Sequence, residues 1–203
     1  MTAKLVAALS LVAVFGWSAS ALAAGSKEAG QAKAATCSAC HGMDGNSVNP
    51  EWPSLAGQHS SYIHAQLKAF KAGSRQNPLM SPMAMILTDE DISDLAAYFS
   101  SQVRRGGETE PSKLKLGQRV YRSGKPSSQV VACAGCHGPA GQGNAPAAYP
   151  SIQGQHATYV AAQLRAYKAG TRSSDPNQMM RNIAGALSED EIDAVASYVQ
   201  GLR

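Results

Sequence analysis

The cysteines and histidines of this chain occur at a spacing that limits what they can do. Cys37-Ser38-Ala39-Cys40-His41 returns 96 residues later as Cys133-Ala134-Gly135-Cys136-His137, and these two runs use all four cysteines. Positions i, i+3 and i+4 share one face of a helix, so two thiols and an imidazole would point the same way in each run. This is the attachment sequence for a c-type haem. Cys37, Cys40, Cys133 and Cys136 would bond to the vinyl groups, and His41 and His137 would reach the iron. Two other chemistries use paired cysteines. A thioredoxin-like dithiol needs a βαβ setting, and no run here alternates as a strand does. A zinc site made of four cysteines would have to bring the two pairs together and would leave the repeated histidines unexplained.

A haem iron bound by one histidine needs a sixth ligand or keeps an open position. The soft thioether of Met serves electron-transfer haems. The candidates are Met43, Met80, Met83 and Met85 in the first half, and Met179 and Met180 in the second. Met80 lies seven residues before Leu87 and Met180 seven before Leu187, and only these two coincide in the repeat. Met83 is the main rival, while Met43 aligns with Pro139 and reads as a surface residue. His59 and His156 also repeat, each after Gly-Gln and just before a helix, where a polar helix-start role suits them. The ligating imidazoles need an acceptor for their other N–H, and backbone carbonyls at Pro53 and Pro150 are candidates. Arg75, Arg172, Tyr62 and Tyr159 stand at repeated positions and could donate to the propionates. Each has an equally ordinary alternative as an exposed or packing residue.

The repetition extends well beyond these motifs. Pro53-Ser-Leu-Ala-Gly-Gln-His59 returns as Pro150-Ser-Ile-Gln-Gly-Gln-His156, and Gln66–Arg75 returns as Gln163–Arg172, both at an offset of 97. By Leu87 and Leu187 the offset is 100, which places a three-residue insertion in the loop before Met180. Each copy reads as three helices. The first spans about 27–39, and 113–124 starts its partner. The second spans about 60–72, with Gly73 and Gly170 as C-terminal caps of the two copies. The third opens on a capping box, Thr88-Asp-Glu-Asp91 or Ser188-Glu-Asp-Glu191. The expected fold class is therefore all-α, with two tandem units related by internal duplication. Residues 104–112 read as the linker, giving units at 24–105 and 106–203. So much loop in each unit implies a thin core that something large and apolar completes.

Lys4, the apolar run Leu5–Phe15 and the small residues of Ala21-Leu22-Ala23 form a secretory signal, with cleavage expected after residue 23. Export would place the remaining chain in the periplasm as a soluble protein. A chain of 203 residues with 44% hydrophobic content is not wholly disordered, and four cysteines are too few for a disulfide-dense scaffold. The net charge of +4 is spread out, which argues against nucleic acid as a partner. The charge is uneven, however: residues 24–105 hold seven Lys/Arg against seven Asp/Glu, whereas residues 106–203 hold ten against seven.

Taken with the Met positions, these motifs resemble class I cytochromes c, which carry Cys-x-x-Cys-His near the start of a domain and a ligand Met before the last helix. Two such domains in tandem look like the cytochrome c4 family. The resemblance covers the whole chain after the signal. It implies two covalent haem c groups and an electron carrier rather than an enzyme. Its haems would face each other across a pseudo-twofold interface. It further implies redox partners upstream, a quinol-oxidising complex or dehydrogenase, and a terminal oxidase downstream, with loose association at the membrane surface. A dehydrogenase cytochrome subunit and a dihaem peroxidase are the competing readings. The peroxidase needs a displaceable ligand.

Overall fold

The computed structural model describes residues 25–203. The expected signal lies outside them. Among the described residues, ten α-helices form two similar sets of five. The first set is α1 (Lys27–Lys33), α2 (Ala35–His41), α3 (Ser60–Lys71), α4 (Met80–Met85) and α5 (Asp89–Ser100). The second is α6 (Pro111–Ser123), α7 (Cys133–His137), α8 (Ala157–Lys168), α9 (Met179–Gly185) and α10 (Glu189–Gln200). Among the described residues the only β-structure is two isolated bridges, Lys125 with Val130 and Asn144 with Tyr149. No described helix is long and apolar enough to cross a membrane.

Each set is built on a crossing of its first and last helices, α1 on α5 and α6 on α10. The crossings are close because Gly30 and Gly117 stand at the contact. A Cβ on Gly30 would lie 2.0 Å from the Asp94 carbonyl oxygen, and one on Gly117 would lie 2.2 Å from that of Ala194. The last helices start as expected. The Thr88 and Ser188 hydroxyls accept from the N–H groups of Asp91 and Glu191, whose carboxylates reach back to the cap. The two apolar cores are separate. Ile63, Leu95, Ala96 and Phe99 centre the first, and Tyr121, Ile192, Val195 and Val199 the second.

The expected first helix, 27–39, is in fact two. Buried Ala34, at ψ −9°, separates α1 from α2. The break lets α1 stay on α5 while α2 carries the cysteine motif through His41. In the second unit the separation is wider. Gly30 is seven residues before Cys37 but Gly117 is sixteen before Cys133, a nine-residue insertion that folds as the Lys125–Val130 turn. The segments expected to be Met-bearing loops contain the short helices α4 and α9, which pack on α3 and α8. The insertion before α9 is braced by Asp175, which accepts from Arg181 Nε at 2.7 Å. The stretch 104–112 is anchored along its length, with Arg105 N–H on Asn46, Gly107 N–H on the Gln200 carbonyl and Glu110 N–H on Ser197. Its last two residues belong to α6.

Candidate functional site

Cys37, Cys40 and His41 lie on one short helix, as do Cys133, Cys136 and His137. Cys37 and Cys133 pack against the apolar cores, whereas Cys40 is exposed. No two of the four cysteines form a disulfide. Burial raises the Cys37 thiol above its ordinary pKa and pushes Cys133 up to about 11, so neither is a preformed thiolate. Among the described residues, no group of three or more His, Cys, Asp or Glu side chains converges on a point where a metal ion could bind. The two cysteine pairs lie on separate helices, α2 and α7.

His41 and His137 are buried, and burial lowers both pKa values, keeping the rings neutral. Nδ1 of His41 lies 2.8 Å from the Pro53 carbonyl oxygen, and Nδ1 of His137 lies 2.9 Å from that of Pro150. A carbonyl only accepts, so each Nδ1 carries the proton and Nε2 keeps its lone pair. The Tyr98 hydroxyl donates to the Met43 carbonyl, and Tyr121 to that of Gly138, which ties the chain after each motif to the packed helices.

Met80 opens α4, its N–H bonded to Asn77 Oδ1 at 2.9 Å, and Met180 is the second residue of α9. Both are half-buried, while Met83 and Met85 are exposed. Met179 is also half-buried, so the repeat register, not burial, separates it from Met180.

The repeated arginines and tyrosines meet where the two units join. The Arg75 guanidinium donates to Tyr159 Oη at 3.0 Å, and that of Arg172 donates to Tyr62 Oη at 2.8 Å. Gln66 and Gln163 each accept from both arginines. Burial alone would raise the Tyr159 phenol; the guanidinium groups of Arg75 and Arg172 bring it below its ordinary value. The Nε of Arg172 is buried without an acceptor among the described residues. His59 and His156 do cap α3 and α8, but neither side chain bonds the helix N-terminus. His156 Nε2 instead meets the Ser47 carbonyl at 2.8 Å, and His59 Nε2 is buried without a partner among the described residues.

These residues fit a haem. Each half offers two unpaired thiols and a neutral imidazole on one short helix, with that imidazole's free nitrogen held in a fixed direction. An unsatisfied arginine donor stands at the join, where an acidic group would satisfy it. The family model for Cytochrome c matches residues 27–102 and again 114–203. The chain is 45% identical to a Cytochrome c4 of Azotobacter vinelandii over 206 residues, covering 97% of this chain and 98% of that one. It belongs to the cytochrome c4 family. The crystal structure of reduced recombinant cytochrome c4 from Pseudomonas stutzeri superposes with a TM-score of 0.86 at 44% identity, covering 89% of this chain and 100% of that one. A "Thiosulfate dehydrogenase electron acceptor" of Stutzerimonas stutzeri is 39% identical, over 81% of this chain and 78% of that one. Like its cytochrome c4 relatives, the chain is a dihaem c-type electron carrier, and its two cytochrome c units bind two covalent haem c groups.

Of the side chains that join the units, the sequence singles out Arg75, Arg172, Tyr62 and Tyr159 as repeats, but not the others. Gln58 and Gln155 were visible only as part of a repeated Gly-Gln-His, and Arg104 only as part of a linker.

Proposed function

We propose that Cys37 and Cys40 would hold the first haem, with His41 and Met80 as the iron ligands. Cys133 and Cys136 hold the second, with His137 and Met180. The observation that carries this reading is the motif helix whose histidine gives its Nδ1 proton to a proline carbonyl, repeated in both units. Iron with two protein ligands supplies reversible one-electron chemistry without a position for substrate. The chain keeps both imidazoles neutral, fixes their planes through Pro53 and Pro150, and presents a thioether from α4 or α9. Arg75, Arg172, Tyr62 and Tyr159 supply donors for propionates at the join. The units run 24–105 and 106–203, after removal of a leader at 1–23. The protein works in the periplasm as a carrier rather than an enzyme. It takes electrons from a quinol-oxidising complex, delivers them to a terminal oxidase, and associates loosely with the membrane surface.

A second reading, the electron-accepting partner of a periplasmic dehydrogenase, is favoured by the relative that bears that name, and the same site would serve it. The test is the purified holoprotein. Two haems per chain, a far-red absorption band of thioether-ligated ferric iron and no rapid carbon monoxide binding are expected. Absence of that band from both haems overturns the Met assignment, and rapid carbon monoxide binding favours the peroxidase. Electron uptake directly from a co-purified dehydrogenase separates the second reading from the first.

A further inference from the structure

The repeated Gly-Gln-His sequence has a use that its position before a helix does not explain. The carboxamide of Gln58 crosses to the second unit. Its Nε2 donates to the Ser151 carbonyl at 2.7 Å, and its Oε1 accepts from the Ser151 N–H at 2.9 Å. Gln155 does the same to the first unit, donating to the Ser54 carbonyl and accepting from the Ser54 N–H, both at 2.9 Å. Each Oε1 also accepts from the following histidine N–H, of His59 or His156, which fixes the amide orientation. Gln58, Gln155, Ser54 and Ser151 are all buried. Arg104 spans the two clasps. Its guanidinium reaches the Ser151 and Ser54 carbonyls at 3.2 and 3.5 Å, and those of Ala56 and Gln153 at 2.8 and 3.1 Å. Burial pushes its pKa down to about 10, so it stays charged.

The N–H of Ser54 and the carbonyl of Pro53 belong to one planar peptide group. Its oxygen accepts from His41, and its N–H is held by Gln155 of the other unit. The Pro150–Ser151 peptide stands in the same way between His137 and Gln58. A peptide that donates through its N–H becomes a better acceptor at its oxygen. A better acceptor for the histidine N–H makes that imidazole more electron-rich and favours ferric iron.

The geometry points to crossed control: Gln155 is a positioning residue for the His41 haem, and Gln58 for the His137 haem. This rests on His41 and His137 being the iron ligands. The experiment compares wild-type holoprotein with Gln155→Leu and Gln58→Leu, measuring the two midpoint potentials with each haem assigned by NMR. In Gln155→Leu the potential of the His41 haem should rise while that of the His137 haem stays. In Gln58→Leu the pattern should reverse. A shift confined to the variant's own unit, or no shift in either haem, overturns the inference. Wild-type amide exchange gives a readout that does not depend on the variants folding. The Ser54 and Ser151 N–H groups should exchange as slowly as those of α5 and α10, and rapid exchange overturns the clasp. If the ligand reading is wrong, the failure shows instead in the wild-type spectrum, as loss of histidine–methionine ligation.

Discussion

At the scale of single residues, the chemistry was written mostly in spacing. Cys37, Cys40 and His41 are legible because three side chains on one turn of helix need no tertiary information to be brought together. Met80 is legible only through the duplication, because a Met alone is more often core filler than ligand. In the structure Met80 is half-buried and Met83 is 36% exposed, so the repeat register, more than burial, separates them. Met80→Leu should therefore remove the thioether band from one of the two haems and open that iron to carbon monoxide, whereas Met83→Leu should leave both spectra as in the wild type. Ferric spectra and carbon monoxide titration of the two variants check this. Arg75 and Arg172 were harder to read. Their repetition signalled importance, but it could not show that each guanidinium crosses to the tyrosine of the opposite unit and lies over a ring of its own, Phe70 at 4.5 Å or Tyr167 at 4.6 Å.

At the scale of elements, the long periodic helices α3, α5, α8 and α10 and the two capping boxes follow local rules, and the sequence displays them. What local rules miss is where a helix must stop for the sake of its neighbour. The residues from Lys27 to His41 favour one helix, and the break falls at Ala34, which is buried in the first core with Leu95, Ala96 and Phe99 of α5. The short α4 and α9 follow Asn77 and a left-handed Gln178, a start that periodicity does not announce. The Gly30 and Gly117 crossings are not legible in the repeat, because the nine-residue insertion shifts them out of the register that aligns the motifs. Gly30→Ala and Gly117→Ala would each force a helix away from its partner and should cost at least about 1–3 kcal/mol, the range for overpacking. Thermal unfolding of the holoproteins measures this, and an unchanged midpoint would show that the crossings can spread freely.

At the scale of the whole molecule, the two units are alike in fold and unlike in charge. Residues 24–105 are balanced and residues 106–203 carry a net +3. Positive surroundings favour ferrous iron, which holds one less positive charge, so the second haem should have the higher potential. The gap should narrow as salt screens the exposed charges. Redox titration at low and high ionic strength checks both statements, and identical potentials at low salt would contradict them. The glutamine clasps also bear on how the molecule comes into being. A chain emerges N-terminus first, and a first unit usually folds as it appears. Here the Ser54 N–H waits for an acceptor 101 residues downstream. Until the second unit is present, the Ser54 N–H faces water, and the Pro53–Ser54 peptide lacks its Gln155 partner. Under the crossed control, the first histidine therefore gains its full acceptor only once both units are joined.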